Sequence, residues 1–224
     1  MIFPELDILI YAHDGRGLGH ASRSIAVGMA VRRLFPLRRV LFVSGSRQSQ
    51  DLIGNSPLDW FKLPSYETEV IGGKSRVATG RTQYSDSELV VIRSSHLAHL
   101  IATYRPKIVL ADHSPQGKHK ELLPALELSR NKETKWLLGV RGIIGDVPQI
   151  ASSLARETYI KHYSGVIWYG DSGVLGLEHK NALDASFGDT SYETGYVSRL
   201  REMEFWRRKC NSEKDSFSEL AGTV

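Results

Sequence analysis

Short apolar runs recur along the chain at 8–11, 40–43, 60–63, 108–111, 136–140 and 165–169, and between them the apolar positions follow a helical period. Runs of this length with little polar alternation read as strands covered on both faces, the pattern of a parallel sheet with helices on each side. The intervening segments predict helices over about 20–34, 47–54, 85–104, 118–131 and 149–163, with Pro106, Gly145 and Pro148 marking ends. Strand and helix in alternation predict an α/β, Rossmann-like doubly wound parallel sheet. Residues 64–84 break the pattern: they have no clear period, carry Gly72, Gly73 and Gly80, and hold the basic residues Lys74, Arg76 and Arg81. A stretch of that length reads as a ligand-contacting loop or as a mobile one. After Val197 the sequence becomes charged and feebly amphipathic, so 1–197 is expected to form the domain and 198–224 a linker-like tail, a short helix with a frayed end.

Composition narrows the class. With 224 residues, 41% hydrophobic and 24% charged, the chain suits one α/β domain, and two would be a squeeze. The net charge of +4 is spread over scattered arginines with no interleaved aromatics, so no nucleic-acid partner is expected. That charge fits a solvated face, a phosphorylated ligand or contact with the inner face of a membrane. Cys210 is the one cysteine, which excludes an intramolecular disulfide and a multi-cysteine metal site and fits a reducing compartment. No stretch approaches the ~18 apolar residues of a membrane span, and the N-terminus lacks the pattern of a signal peptide. A cytoplasmic location is expected, with peripheral membrane contact left open.

The strongest local signal is Asp7-Ile-Leu-Ile-Tyr-Ala-His-Asp-Gly-Arg-Gly-Leu-Gly-His20, a strand that empties into a glycine-rich turn and then into a helix. Gly15, Gly17 and Gly19 let backbone approach a ligand closely, and the following helix offers unpaired N–H groups to an anion. Leu18 shares that cradle. His20, at the start of the helix, can reach a reacting hydroxyl while the loop holds phosphate, a pairing that points to transfer chemistry. A ligand-free tight turn is the plainer alternative. The spacing is not that of a dinucleotide fingerprint, and the second strand ends in Gly45-Ser-Arg47 without an acid; Arg47 keeps an NADP reading open.

In a doubly wound sheet the ligand site lies beyond the carboxyl ends of the strands. His13, Asp14, Ser44, Asp112, His113, Lys118, Arg141 and Asp171 all fall there. Asp112 and His113 have the makings of an acid/base pair, and a helix starting near Lys118 would suit a second phosphate. Asp112 as a turn or capping residue, and His20 as a plain first-turn residue, are the alternatives. His13, His20 and His113 with Asp14 and Asp112 can also be drawn as a metal site, although no short-spaced ligand pair anchors it.

Taken in order, Tyr11-Ala-His-Asp-Gly-Arg-Gly-Leu-Gly-His20, Arg23-Ser-Ile-Ala-Val-Gly28, Ser44-Gly-Ser46, Phe61-Lys-Leu-Pro64, the run from Tyr104 to Gly117, Glu121-Leu-Leu-Pro-Ala-Leu126 and Thr194-Gly-Tyr-Val197 resemble the amino-terminal half of predicted GT-B glycosyltransferases. These are distant relatives of the family-28 enzyme that adds N-acetylglucosamine to the lipid-linked peptidoglycan precursor, and the resemblance spans roughly 7–197. It implies a single Rossmann-like domain that binds a phosphorylated or lipid-linked sugar acceptor for a cell-envelope polysaccharide, with no cofactor and no metal. It implies His20 as the catalytic base, and Gly15, Gly17, Leu18 and Gly19 at the acceptor's phosphate. In such enzymes a second Rossmann half binds the nucleotide sugar. Here the chain runs only about 27 residues past Val197, so a donor-domain partner protein is expected to supply that half of an inverting transferase. A non-catalytic remnant that binds sugar without turnover, and half of a nucleotide-sugar epimerase, are the competing expectations.

Overall fold

The computed structural model describes residues 5–12, 18–66, 68–71, 74–77, 83–130, 133–142, 152–188 and 190–221. Seven strands form one parallel sheet: β1 (Ile8–Ala12), β2 (Val40–Ser44), β3 (Asp59–Lys62), β6 (Ile108–Asp112), β7 (Lys135–Arg141), β8 (Tyr163–Tyr169) and β9 (Tyr192–Glu193), in the order β3-β2-β1-β6-β7-β8-β9. Two further strands, β4 (Thr68–Ile71) and β5 (Lys74–Val77), pair antiparallel with each other apart from that sheet. The stretch that showed no period thus contains a hairpin, because both strands are short and fall either side of Gly72 and Gly73. Arg81 lies outside the described residues.

Both faces of the sheet are covered. Along β1 the side chains alternate, Leu9 and Tyr11 entering one buried cluster and Ile10 and Ala12 the other. The first cluster is closed by α3 (Asp86–Tyr104) and α4 (Leu123–Ser129), through Leu97, Leu100, Ile101, Ala125 and Leu126. The second is closed by α1 (Gly19–Leu34) and α2 (Ser49–Ile53), through Ala21, Ile25, Met29, Leu52 and Ile53. Helix α3 starts on a capping box: the Ser85 hydroxyl accepts from the Glu88 N–H, and the Glu88 carboxylate accepts from the Ser85 N–H.

Helices α5 (Ser153–His162), α6 (Ser172–Leu175) and α7 (Leu177–Phe187) serve the β7–β8 end, where Tyr159, Leu183 and Phe187 pack together. The final helix, α8 (Leu200–Ala221), is longer than a short helix with a frayed end. It returns to the domain: Glu202 accepts two hydrogen bonds from Arg33, Arg199 donates to the Leu52 carbonyl, and Trp206 is buried against the α1–α2 side. Among the described residues no helix is long and apolar enough to cross a membrane.

Candidate functional site

The chain builds β1, β2 and β3 outward in one direction, then returns to lay β6 on the other side of β1. Strand order reverses between β1 and β6, and the crevice above such a point is where an open α/β sheet binds ligands. Two elements meet there. Helix α1 starts at Gly19 with no side-chain cap and no acid in its first turn, and β6 ends at Asp112. On β6 the Leu110 side chain belongs to the α1 face; two residues on, Asp112 points the same way. His20 and Arg23, three apart on α1, share the helix face that meets it.

The three side chains join. His20 Nδ1 lies 2.5 Å from Asp112 Oδ2. Arg23 donates to Asp112 Oδ1 from Nη2 at 2.6 Å and from Nε at 3.2 Å. A carboxylate only accepts, so His20 must donate from Nδ1, and the neutral ring then carries its lone pair on Nε2. Asp112 is 1% exposed, while the His20 and Arg23 side chains keep 18% and 15% of their surface. Burial pushes the Asp112 carboxyl up, but the hydrogen bond from His20 and the charge of Arg23 outweigh it and hold the group below its ordinary range. The aspartate is charged, and its negative charge stands behind the imidazole.

Two more rings complete the surroundings. His113 stacks at a tilt on His20, ring centroids 5.0 Å apart. Burial, reinforced by the neighbouring His20 charge and only partly opposed by Asp112, lowers its pKa to about 4, so it is neutral at pH 7. Arg23 lies 5.1 Å from the ring centroid of Tyr169, whose hydroxyl is pushed up by burial and by Asp112. Tyr169 occupies the space that a side chain at Gly139 would need, and Gly139 sits in register with Asp112. Glycine at this strand position is what admits the aromatic ring over the site.

Of the residues singled out from sequence, His20, Asp112 and His113 come together. Arg141 ends β7 in register with Tyr169, and its charge is felt by His113. Leu18 precedes α1 and is half exposed, and Gly19 has open space where a Cβ would stand. Gly15, Gly17, His13 and Asp14 lie outside the described residues. Ser44 ends β2 beside Ala12, and its hydroxyl accepts from the Ser46 N–H. Arg47 follows β2 on the surface. Asp171 caps α6 by accepting from the Gly173 N–H. Among the described residues no group of three or more His, Cys, Asp or Glu could hold a metal ion.

Lys118 sits elsewhere, as a correction to the helix predicted from 118. Residues Lys118–Lys120 form only a 3-10 turn, broken by the left-handed backbone of His119, and α4 starts at Leu123. The Lys118 ammonium lies 4.6 Å from the ring centroid of Tyr66, above a second buried network. Arg93 and Glu121, both 0% exposed, form a two-pronged pair at 2.5 and 2.7 Å. Glu121 also accepts from Tyr11 and Tyr66, and Arg93 donates its remaining edge to the Pro64 carbonyl. Gly117 turns with φ +70° beneath this network, where a Cβ would collide with Leu122. Tyr169 was marked with Asp171 at the end of its strand, but Arg93 and Tyr66 carry no such mark, and the roles of Arg23 and Tyr169 show only in the structure. Arg93 did carry a signal: it stands in line with Leu89, Leu97 and Ile101, four apart on the buried face of α3.

Neither a family model nor a curated protein sequence matches the chain. Solved structures do match it. A crystallised UDP-N-acetylglucosamine 2-epimerase aligns with a TM-score of 0.52 at 12% identity, over 86% of this chain and 48% of that one. A UGT transferase from Siraitia grosvenorii, in complex with UDP, aligns with a TM-score of 0.48 at 11% identity, over 86% of this chain and 51% of that one. At such identity the likeness is one of fold: a Rossmann-like α/β domain of the GT-B kind. The chain spans about half the length of the solved chains it matches.

Proposed function

We propose that this domain is the acceptor-binding half of an inverting, nucleotide-sugar-dependent glycosyltransferase and works together with a donor-binding domain. The observation that carries the reading is the His20–Asp112 pair, clamped by Arg23 at the point where strand order reverses. His20 Nε2 takes the proton of the acceptor hydroxyl as its oxygen attacks the anomeric carbon. The bond from that carbon to the nucleotide diphosphate breaks, and the configuration inverts. Asp112 fixes the tautomer and stabilises the imidazolium that forms, and Arg23 holds Asp112 in place. The uncapped start of α1 favours an acceptor phosphate next to the reacting hydroxyl. The sequence resemblance supports the same assignment.

The test is co-expression with donor-domain proteins from the same source, a screen of nucleotide sugars, and mass spectrometry of the products. Transfer is expected only in the completed pair, and His20→Ala should lower its rate by ~10²–10⁴. Robust transfer by this chain alone, or full rate in His20→Ala, would refute the reading. The likeness to the epimerase keeps one competitor: half of a nucleotide-sugar epimerase, which would give an isomerised nucleotide sugar in place of a glycosylated acceptor.

A further inference from the structure

On β8 the Ile167 side chain packs against the cluster on the α1 face, and two residues on Tyr169 points the same way. Its ring runs back across β7, and the hydroxyl leads. A Cβ on Gly139 would stand 2.4 Å from the phenol oxygen and 2.8 and 2.9 Å from the nearest ring carbons. Gly139 pairs with Asp112 on β6, so the tip of the phenol is laid beside the strand end that carries the buried carboxylate. Glycine inside a strand weakens it and marks a close approach; here the approach is that of a hydroxyl.

The ring has a partner in the fold and the hydroxyl has none. Arg23 lies 5.1 Å from the ring centroid, a contact that phenylalanine would keep. Tyr169 is 6% exposed, yet among the described residues its hydroxyl makes no hydrogen bond. Buried tyrosine hydroxyls ordinarily find a partner. Burial and the Asp112 charge push the phenol up, so it keeps its proton and can donate. At the phenol the charge of Asp112 outweighs that of Arg23, which disfavours a phosphate oxygen there and suits a neutral one. Arg23 Nη2 is also 3.3 Å from His20 Nδ1, so one guanidinium touches both His20 and Tyr169.

We propose that the Tyr169 hydroxyl binds a hydroxyl of the substrate's sugar ring and so holds the sugar beside His20. The proposal rests on the reading of this crevice as a sugar site, and it adds a source of specificity. A site built to hydrogen-bond a substrate hydroxyl rejects analogues that lack it far more strongly than an apolar pocket sorts substrates by size.

The test is calorimetric titration of the full chain with the 1-phosphates of glucose and N-acetylglucosamine, and with inorganic phosphate as the sugar-free control. At least one sugar phosphate should bind more tightly than phosphate. Tyr169→Phe should weaken that binding at least about tenfold, with phosphate affinity and melting temperature unchanged. Undiminished sugar-phosphate binding by Tyr169→Phe, an equal loss for inorganic phosphate, or a wild-type chain that binds no sugar phosphate better than phosphate would overturn the proposal. So would a lowered melting temperature in Tyr169→Phe, which would show the hydroxyl to be bonded within the fold. Sugar binding that depends on Tyr169 without transfer in the completed pair would remove the transferase reading and leave this one. Transfer with undiminished sugar binding by Tyr169→Phe would do the reverse.

Discussion

Two carboxylates, Asp112 and Glu121, are buried within one loop of each other, and the chain treats them differently. Glu121 is sealed: its partners are Arg93, Tyr11 and Tyr66, and the Arg93–Glu121 pair has no exposed surface. Asp112 has partners that reach solvent, and one of them is an imidazole. An arginine and two tyrosines hold a charge still; Tyr11, with its hydroxyl pushed well up by burial and then by Glu121, stays protonated and donating. An imidazole can pass a proton on. The sealed network fixes the segments after β3 and β6 to α3, and the open one is thereby held at the rim of a rigid frame. Burial of a charge is common to both; access and the partner's chemistry separate scaffold from site.

The sharpest way to break the comparison is Glu121→Ala, which leaves the Arg93 guanidinium buried without its counter-charge. A loss of about 3–5 kcal/mol is expected, seen in denaturant or thermal unfolding. A loss under about 1 kcal/mol would mean the pair is not sealed. Next is pH. The unfolded state protonates His113 near 6.5 and the folded state only near 4, so the unfolded state binds more protons between those values. This contribution to stability is whole above about 6.5 and shrinks as pH falls toward about 4, by up to about 3 kcal/mol. Asp112, held below its ordinary value, adds a further loss only at lower pH. His113→Asn, which tolerates the positive φ, should flatten the first slope; an unchanged slope would place the titration elsewhere.

Smaller effects sharpen the contrast. Tyr66→Phe removes one hydrogen bond to a buried carboxylate and should cost about 1.5–3 kcal/mol by the same unfolding measurement. His20→Ala should cost less than about 1.5 kcal/mol, because Asp112 keeps both bonds from Arg23. If His20→Ala unfolds the chain as readily as Glu121→Ala, His20 is scaffold, and the division between the two carboxylates fails.

Much of the frame was legible because buried parallel strands need no partner information: apolar runs mark β1, β2, β3, β6, β7 and β8 within a residue or two. The edge strand β9, two residues long, and the short β4–β5 hairpin carry too few positions for a period to show. Helix α8 was read as a tail since its apolar stripe is thin; Trp206 and the Glu202–Arg33 pair decide its place, and neither is visible in a local pattern. Among the candidate site residues, His20 and Asp112 were each marked, His20 by its glycine-rich loop and Asp112 by its strand end. Their pairing was not, because it links positions 92 apart through the reversal of strand order. Lys118 was misplaced for a local reason: Gly117, His119 and Lys120 all have positive φ, and no helix runs through such a stretch.

For His20 to act as the base, Asp112 must hold the ring with its lone pair on Nε2. Nitrogen-resolved NMR of the imidazoles in the labelled chain, at a pH where His20 is neutral, reads this directly. A proton on Nδ1 that shifts when Asp112→Ala is introduced is the predicted result. A proton on Nε2, or a His20 signal indifferent to Asp112→Ala, would contradict it.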